Sequence, residues 1–113
     1  MVSTSTVEPP APRNFTVYNI QKTMTEMNWD PPLYHHVYSV THYVIEFKMF
    51  GDVKWRNASR LDSKVNTYQL TDLKPDTRYD IRMAAMNFKG KGVPTKTAEI
   101  KTRSGKFFYL KLK

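Results

Sequence analysis

The stretch Leu73-Lys74-Pro75-Asp76-Thr77-Arg78-Tyr79-Asp80-Ile81-Arg82-Met83-Ala84-Ala85-Met86-Asn87 decides the fold. A turn carrying one proline leads into a run whose apolar residues fall on every second position, the pattern of a half-buried β-strand. Tyr79, Ile81, Met83 and Ala85 share one face, and Asp80, Arg82, Ala84 and Met86 share the other. A tyrosine placed where a strand begins after a tight corner buries its ring while its hydroxyl caps backbone groups a few residues upstream. Such a tyrosine corner is a device of two-layer antiparallel sandwiches.

Working outward from this strand, the same rhythm recurs. Toward the C-terminus, Asn87 to Gly92 reads as a loop, Pro94 marks an edge, and Thr95 to Thr102 forms a strand with Ala98 and Ile100 inward. Toward the N-terminus, Thr67-Tyr68-Gln69-Leu70 alternates, and so does Tyr43-Val44-Ile45-Glu46-Phe47, with Tyr43, Ile45 and Phe47 inward. Between them, Gly51-Asp52 offers a turn, and Arg60 to Asn66 is a polar crossing with no pattern of its own. Thr25, Met27 and Trp29 point inward along Thr23 to Trp29, where Asp30-Pro31-Pro32 stops the strand because proline cannot donate to a ladder. Asn14 to Tyr18 suits a first edge strand with Phe15 and Val17 inward. Seven short strands separated by turn signals predict an all-β sandwich, with no helix required.

Composition agrees with one such domain. The 113 residues are 40% hydrophobic and 25% charged, and 13% are aromatic, as in a globular chain with a single core. No run approaches the about 18 apolar residues of a membrane span. Cysteine is absent, so no disulfide or thiolate metal site exists. Residues 1–10, with Ser3, Thr4, Ser5, Thr6, Pro9 and Pro10, read as a flexible linker ahead of a domain at 11–103. Residues 104–113 lie outside it. Phe108, Leu110 and Leu112 alternate there with Tyr109, Lys111 and Lys113, so the tail reads either as a linker to whatever follows or as an extra strand for an exposed sheet edge.

The order of motifs Trp29-Asp30-Pro31-Pro32, Tyr43-x-Ile45-x-Phe47, Leu73-x-Pro75-x-Thr77-x-Tyr79, Ala85-x-Asn87 and Gly90-x-Gly92 resembles a fibronectin type III domain over roughly residues 11–103. The resemblance implies a seven-stranded sandwich of sheets A-B-E and C′-C-F-G, with Trp29, Tyr43, Phe47, Leu73 and Tyr79 in its core and Trp55 beside the short strand C′. Thr25 departs from it, since an aliphatic residue is usual at that position of strand B. The resemblance further implies a non-catalytic interaction and spacer module of a multidomain cell-surface receptor, adhesion or matrix protein. A spacer of an intracellular filament and an accessory domain appended to an enzyme are its rivals. The Arg-Gly-Asp tripeptide of integrin-binding relatives and the Trp-Ser-x-Trp-Ser signature of cytokine receptors are both missing.

No constellation for catalysis or cofactor binding occurs: there is no Gly-x-Ser-x-Gly, no phosphate-cradling glycine loop and no His-Glu-x-x-His. His35, His36 and His42 read as loop and surface residues, because a structural zinc site needs about four ligands. Two loops expected at one end, with Tyr34, His35, His36 and Tyr38 in BC and Phe88, Lys89 and Lys91 in FG, are the first candidates for contact with another protein. A formal net charge of +8 draws anions at long range. Lys48, Lys54, Arg56, Arg82 and Lys101 are expected on the outer face of the C′CFG sheet, where Val44 and Glu46 also point outward, and would suit a sulfated glycosaminoglycan or an acidic protein surface. The pI near 9.8 permits nucleic acid, but no recognition motif or stacking platform accompanies it. The sequons at Asn14 and Asn57 are candidate N-glycosylation sites, and the module is expected to be a monomer or a weak oligomer.

Overall fold

The computed structural model describes residues 7–105. Strands β1 (Arg13–Tyr18), β2 (Thr25–Asp30) and β5 (Thr67–Leu70) form one antiparallel sheet in the order β1-β2-β5. The second sheet holds β4 (Arg56–Asp62), β3 (His42–Met49), β6 (Arg78–Asn87) and β7 (Gly90–Lys91) in that order, with β8 (Ala98–Lys101) also paired to β6. These are the expected sheets A-B-E and C′-C-F-G, the last strand being split into β7 and β8. Proline explains the split. Gly92 and Thr95 still donate their N–H groups to the Ala85 and Met83 carbonyls, but Pro94 between them has no N–H to offer.

The inward-facing residues meet in one core of Met27, Trp29, Tyr43, Ile45, Leu70, Leu73, Tyr79, Ile81, Met83, Ala85 and Ile100, with Phe47 packed partly buried against it. Trp29 presents its edge to Tyr43 of the opposite sheet, ring centroids 5.6 Å apart at 63°, and Phe47 lies 6.2 Å from Tyr79. The corner is built as its residues require. The Tyr79 ring is buried, its hydroxyl accepts the Lys74 backbone N–H at 2.8 Å, and Thr102 ties β8 to the same corner by accepting the Thr77 N–H and donating to the Lys74 carbonyl. Thr25, the departure in strand B, is fully buried and donates its hydroxyl to the Tyr18 carbonyl at 2.8 Å, which satisfies the polar atom there.

Three features differ from expectation. A one-turn helix, α1 (His35–Tyr38), occupies the BC loop between Tyr34 and Ser39, both in the left-handed conformation. β4 runs on through Asp62, into what read as a polar crossing. It is an edge strand with an irregularity opposite Ile45 and Glu46, and alternation disappears where a bulge breaks the pleat. The lead-in is packed by residue 7: Asn87 Nδ2 donates to the Val7 carbonyl at 2.8 Å, and Pro9 is buried. The rest of the expected linker, and the tail from Lys106, lie outside the described residues.

Pro9 also explains one glycine. A Cβ added at Gly92 would stand 1.9 Å from the Pro9 carbonyl oxygen, far inside contact distance, and that neighbour is backbone rather than a yielding side chain. Gly92→Ala is therefore expected to lower stability by roughly 1–3 kcal/mol, the usual cost of overpacking, read by urea denaturation. An unchanged midpoint would show that the lead-in is free to move aside.

Candidate functional site

The two loops meet at one end of the sandwich because a buried amide draws them together. Asn87 ends β6 and is 4% exposed. Its Nδ2 donates to the Tyr38 carbonyl at 2.9 Å and to the Val7 carbonyl, while its Oδ1 accepts the Lys89 N–H at 2.9 Å. One side chain thus fixes the end of α1, the incoming chain and the start of the β6–β7 turn. α1 is further held by Val37 and Tyr38 N–H groups bonded to the Tyr34 carbonyl, which keeps bulky Tyr34 at φ 57°. The expectation had Asn87 only as a motif residue. Its clamping role follows from pairing that brings positions far apart in sequence together.

On this supported end, Tyr34 is 71% exposed and Phe88 65%, with Leu33, Val37 and Val93 also exposed. His36 and Lys89 are exposed, whereas His35 and Tyr38 are half-buried. The His35 and His36 rings lie 3.9 Å apart. Lys91 belongs elsewhere. Its ammonium pairs with Glu46 on the sheet face rather than joining the loop.

The outer sheet face is a mosaic of both signs. Glu46 does not project into solvent as expected but is 3% exposed, gripped by Arg82 Nε at 2.8 Å and by Lys91. Val44 is likewise buried. Lys48 pairs with Asp80 at 3.6 Å and Lys101 with Asp76 at 3.4 Å. Trp55 lies over this face, its ring 4.0 Å from the Arg82 guanidinium and 5.2 Å from Lys48. Arg56 leaves the patch altogether: it pairs with Phe47, an inward residue, so the bulge in β4 turns it to the other side, where it lines a cavity with Asp72 and Lys74. Lys54 is exposed. Among the described residues, no three acidic, histidine or cysteine side chains gather to hold a metal, and no helix is long and apolar enough to cross a membrane.

Burial alone would raise the Glu46 pKa, but the hydrogen bonds and charges of Lys91 and Arg82 outweigh it and hold the carboxyl below its ordinary value of 4.5. A depressed carboxyl stabilises the fold above its unfolded pKa, and that contribution is lost as pH falls through the folded value. Stability should therefore decline on acidification below about pH 4.5. Glu46→Gln should flatten this part of the profile and cost about 1–3 kcal/mol at pH 7, since two cations lose their shared partner. Chemical denaturation across pH 3–7 checks both. The two sequons differ in setting. Asn14 donates its amide to Asp30 Oδ2 at 2.7 Å, whereas Asn57, on β4, is exposed and lines a groove with Val44, Arg60, Met86 and Lys91.

With this geometry in view, comparison with known proteins places the chain. The model of the fibronectin type III domain matches residues 10–101. A titin homolog of Caenorhabditis elegans is 31% identical over 96 residues, 85% of this chain and, rounded, 0% of the relative's length. Human receptor-type tyrosine-protein phosphatase F is 33% identical over 82 residues, 72% of this chain and 4% of the relative. Among solved structures, the FN1–FN3 domains of chicken CNTN1 superpose with a TM-score of 0.77 at 26% identity, over 86% of this chain and 33% of that one. The FN5 domain of Drosophila Lar does so with 0.71 at 25%, covering 86% and 99%. The chain thus spans only a small fraction of these curated relatives. Sheet order, tyrosine corner and family match agree, and the chain belongs to the fibronectin type III family, a non-catalytic fold.

Proposed function

We propose that the chain acts as an interaction and spacer module that docks another protein through the end built by α1 and the β6–β7 turn. The observation that carries this reading is the pair of exposed aromatic rings, Tyr34 and Phe88, on loops that Asn87 holds in place. Rigid aromatic anchors lose little entropy on binding and dominate hot spots. The receptor-type phosphatase and titin relatives support a module that works inside a longer protein, where binding and spacing go together. A cell-surface or matrix setting is the one we favour, and an occupied sequon at exposed Asn57 in the native protein would separate it from an intracellular filament.

Affinity capture from native tissue with immobilised wild type, Tyr34→Ala/Phe88→Ala and Lys54→Ala tests the docking role. A protein retained by the first and third but lost from the second supports it. Equal recovery on all three contradicts it. Glycosaminoglycan binding by the sheet face is the weaker reading, because Glu46, Asp80 and Asp76 already partner Arg82, Lys91, Lys48 and Lys101. Elution from heparin at low salt is expected, barely moved by Arg82→Ala with Lys101→Ala. Steep salt-dependent retention lost in that double variant would restore the glycan reading.

A further inference from the structure

One long side of the sandwich is open. β1 ends the first sheet, with β2 on one flank and, among the described residues, no strand and no backbone hydrogen bond on the other. Its inward side chains show the consequence. Phe15 and Val17 are only half-buried, whereas Thr25, Met27 and Trp29 of neighbouring β2 are buried. A cleft of about 450 Å³ continues this opening between Ala11, Pro12 and Phe15 of the first sheet and Pro94 and Thr95 of the second. An unpaired edge of this kind is a template for a further strand.

The chain delivers a segment to this side. After β8 it leaves the second sheet: Arg103 donates its N–H to the Gln21 carbonyl at 3.1 Å and its Nε to the Ile20 carbonyl at 2.9 Å, both in the turn between β1 and β2. Gly105 lies against the Lys22 side chain of the same turn. Residues 106–113 follow, alternating Phe108, Leu110 and Leu112 with Tyr109, Lys111 and Lys113. β1 runs toward that turn, so a segment running back from it is antiparallel to β1.

We propose that residues 106–113 pair with the free edge of β1 in the same molecule, as a fourth strand of its sheet. Counted from Gly105 beside Lys22, an antiparallel pair sets Leu110 opposite Val17 and Leu112 opposite Phe15. All four then face the core, with Leu112 at the cleft, while Tyr109 and Lys111 join exposed Tyr18 and Thr16 on the solvent face. The point of exit and the apolar alternation thus agree on one register parity, and a slip of one residue would turn the leucines to solvent. At ~3.3 Å per residue the segment reaches about 26 Å, enough to pass the about 20 Å of β1. A hairpin back onto β8 is opposed by the Arg103 bonds, which carry the chain to the first sheet. Asn14, at φ 54°, ends the regular part of the edge, so the ladder is short. A tethered strand needs few bonds, because its link holds it at an effective concentration of about millimolar.

The inference uses the open side of the sandwich and stands apart from the docking role. Amide exchange of the full chain, followed by NMR at two protein concentrations, tests it against Leu110→Asp/Leu112→Asp, with the β6 amides as internal reference. Those β1 amides that point away from β2 should exchange about tenfold or more faster in the double variant, while those bonded to β2 change little. Wild type should also show cross-strand proton contacts between Leu110 and Val17 and between Leu112 and Phe15. Lys111→Ser with Lys113→Ser, on the solvent face, should leave the protection unchanged. Equal exchange of the outward β1 amides in wild type and the aspartate variant overturns the proposal, as do tail contacts to β8 in place of β1. Protection that grows with concentration alongside a dimer mass assigns the strand to a second copy and overturns it as well.

Discussion

Trp29→Ala is expected to lower the free energy of unfolding by about 3–5 kcal/mol, the range for deleting a large aromatic from a packed core. Trp29 is 2% exposed and stands edge-on to Tyr43 across the two sheets, so its removal leaves a void that both layers border. Domains of this size are stable by only about 5–15 kcal/mol, and the variant should be partly unfolded at 37 °C. Trp29→Phe should lose less than half as much. It keeps a ring in place and removes an indole N–H that has no hydrogen-bond partner among the described residues. Denaturant titration followed by the fluorescence of the remaining Trp55 separates the two, and an alanine variant within about 1 kcal/mol of wild type would mean that the layers do not close on this residue.

Asn87→Ala should be the most damaging polar substitution, at about 2–4 kcal/mol. It strips the Tyr38 and Val7 carbonyls of their donor and the Lys89 N–H of its acceptor in one step. The loss should be local in its symptoms. Amide exchange should accelerate in α1, residues 7–10 and the β6–β7 turn, while β2 and β3 keep their protection until global unfolding. Asn87→Asp offers a sharper check: at neutral pH the carboxylate accepts the Lys89 N–H but donates to neither carbonyl, so most of the defect persists. Protonation on acidification returns a donor, and partial recovery is expected as the pH falls toward 4. A uniform acceleration of exchange across both sheets in Asn87→Ala would mean that the residue serves the core as a whole.

The sandwich was legible because its signals are local. Tyr79, Ile81, Met83 and Ala85 repeat every second residue after a proline turn, and the corner hydrogen bond from Lys74 to Tyr79 spans five positions. What escaped the sequence is what long-range pairing decides. β4 looked patternless through Asp62 because an edge strand with a bulge does not alternate, and the same bulge carries Arg56 away from the face on which Lys54 and Trp55 seemed to place it. Glu46 sits at an outward position yet is buried, since Arg82 and Lys91, remote in the chain, fold over it. α1 had no recognisable start signal: its cap is Tyr34 in a left-handed conformation, without a side-chain hydrogen bond. Pro9 and Val7 looked like a mobile lead-in by composition, and only the approach of Gly92 and Asn87 shows why they are packed.

The loop end, the first candidate on sequence, keeps its place, and the charged sheet loses weight as its rival. A sheet whose cations are mostly matched by Glu46, Asp80 and Asp76 has little surplus attraction to offer a polyanion. The loop end, by contrast, shows apolar rings on a backbone held by buried hydrogen bonds. Preorganisation of that kind is what makes exposed aromatic surface productive in binding.

Site-specific photocrosslinking in the native cell tests this assignment most directly. A photoreactive amino acid placed in turn at Tyr34, Phe88, Arg60 and Glu99 samples the loop end with the first two and the sheet face with the last two. One discrete adduct from positions 34 and 88, and none from 60 and 99, is the result expected here. Adducts from the sheet positions alone would contradict it.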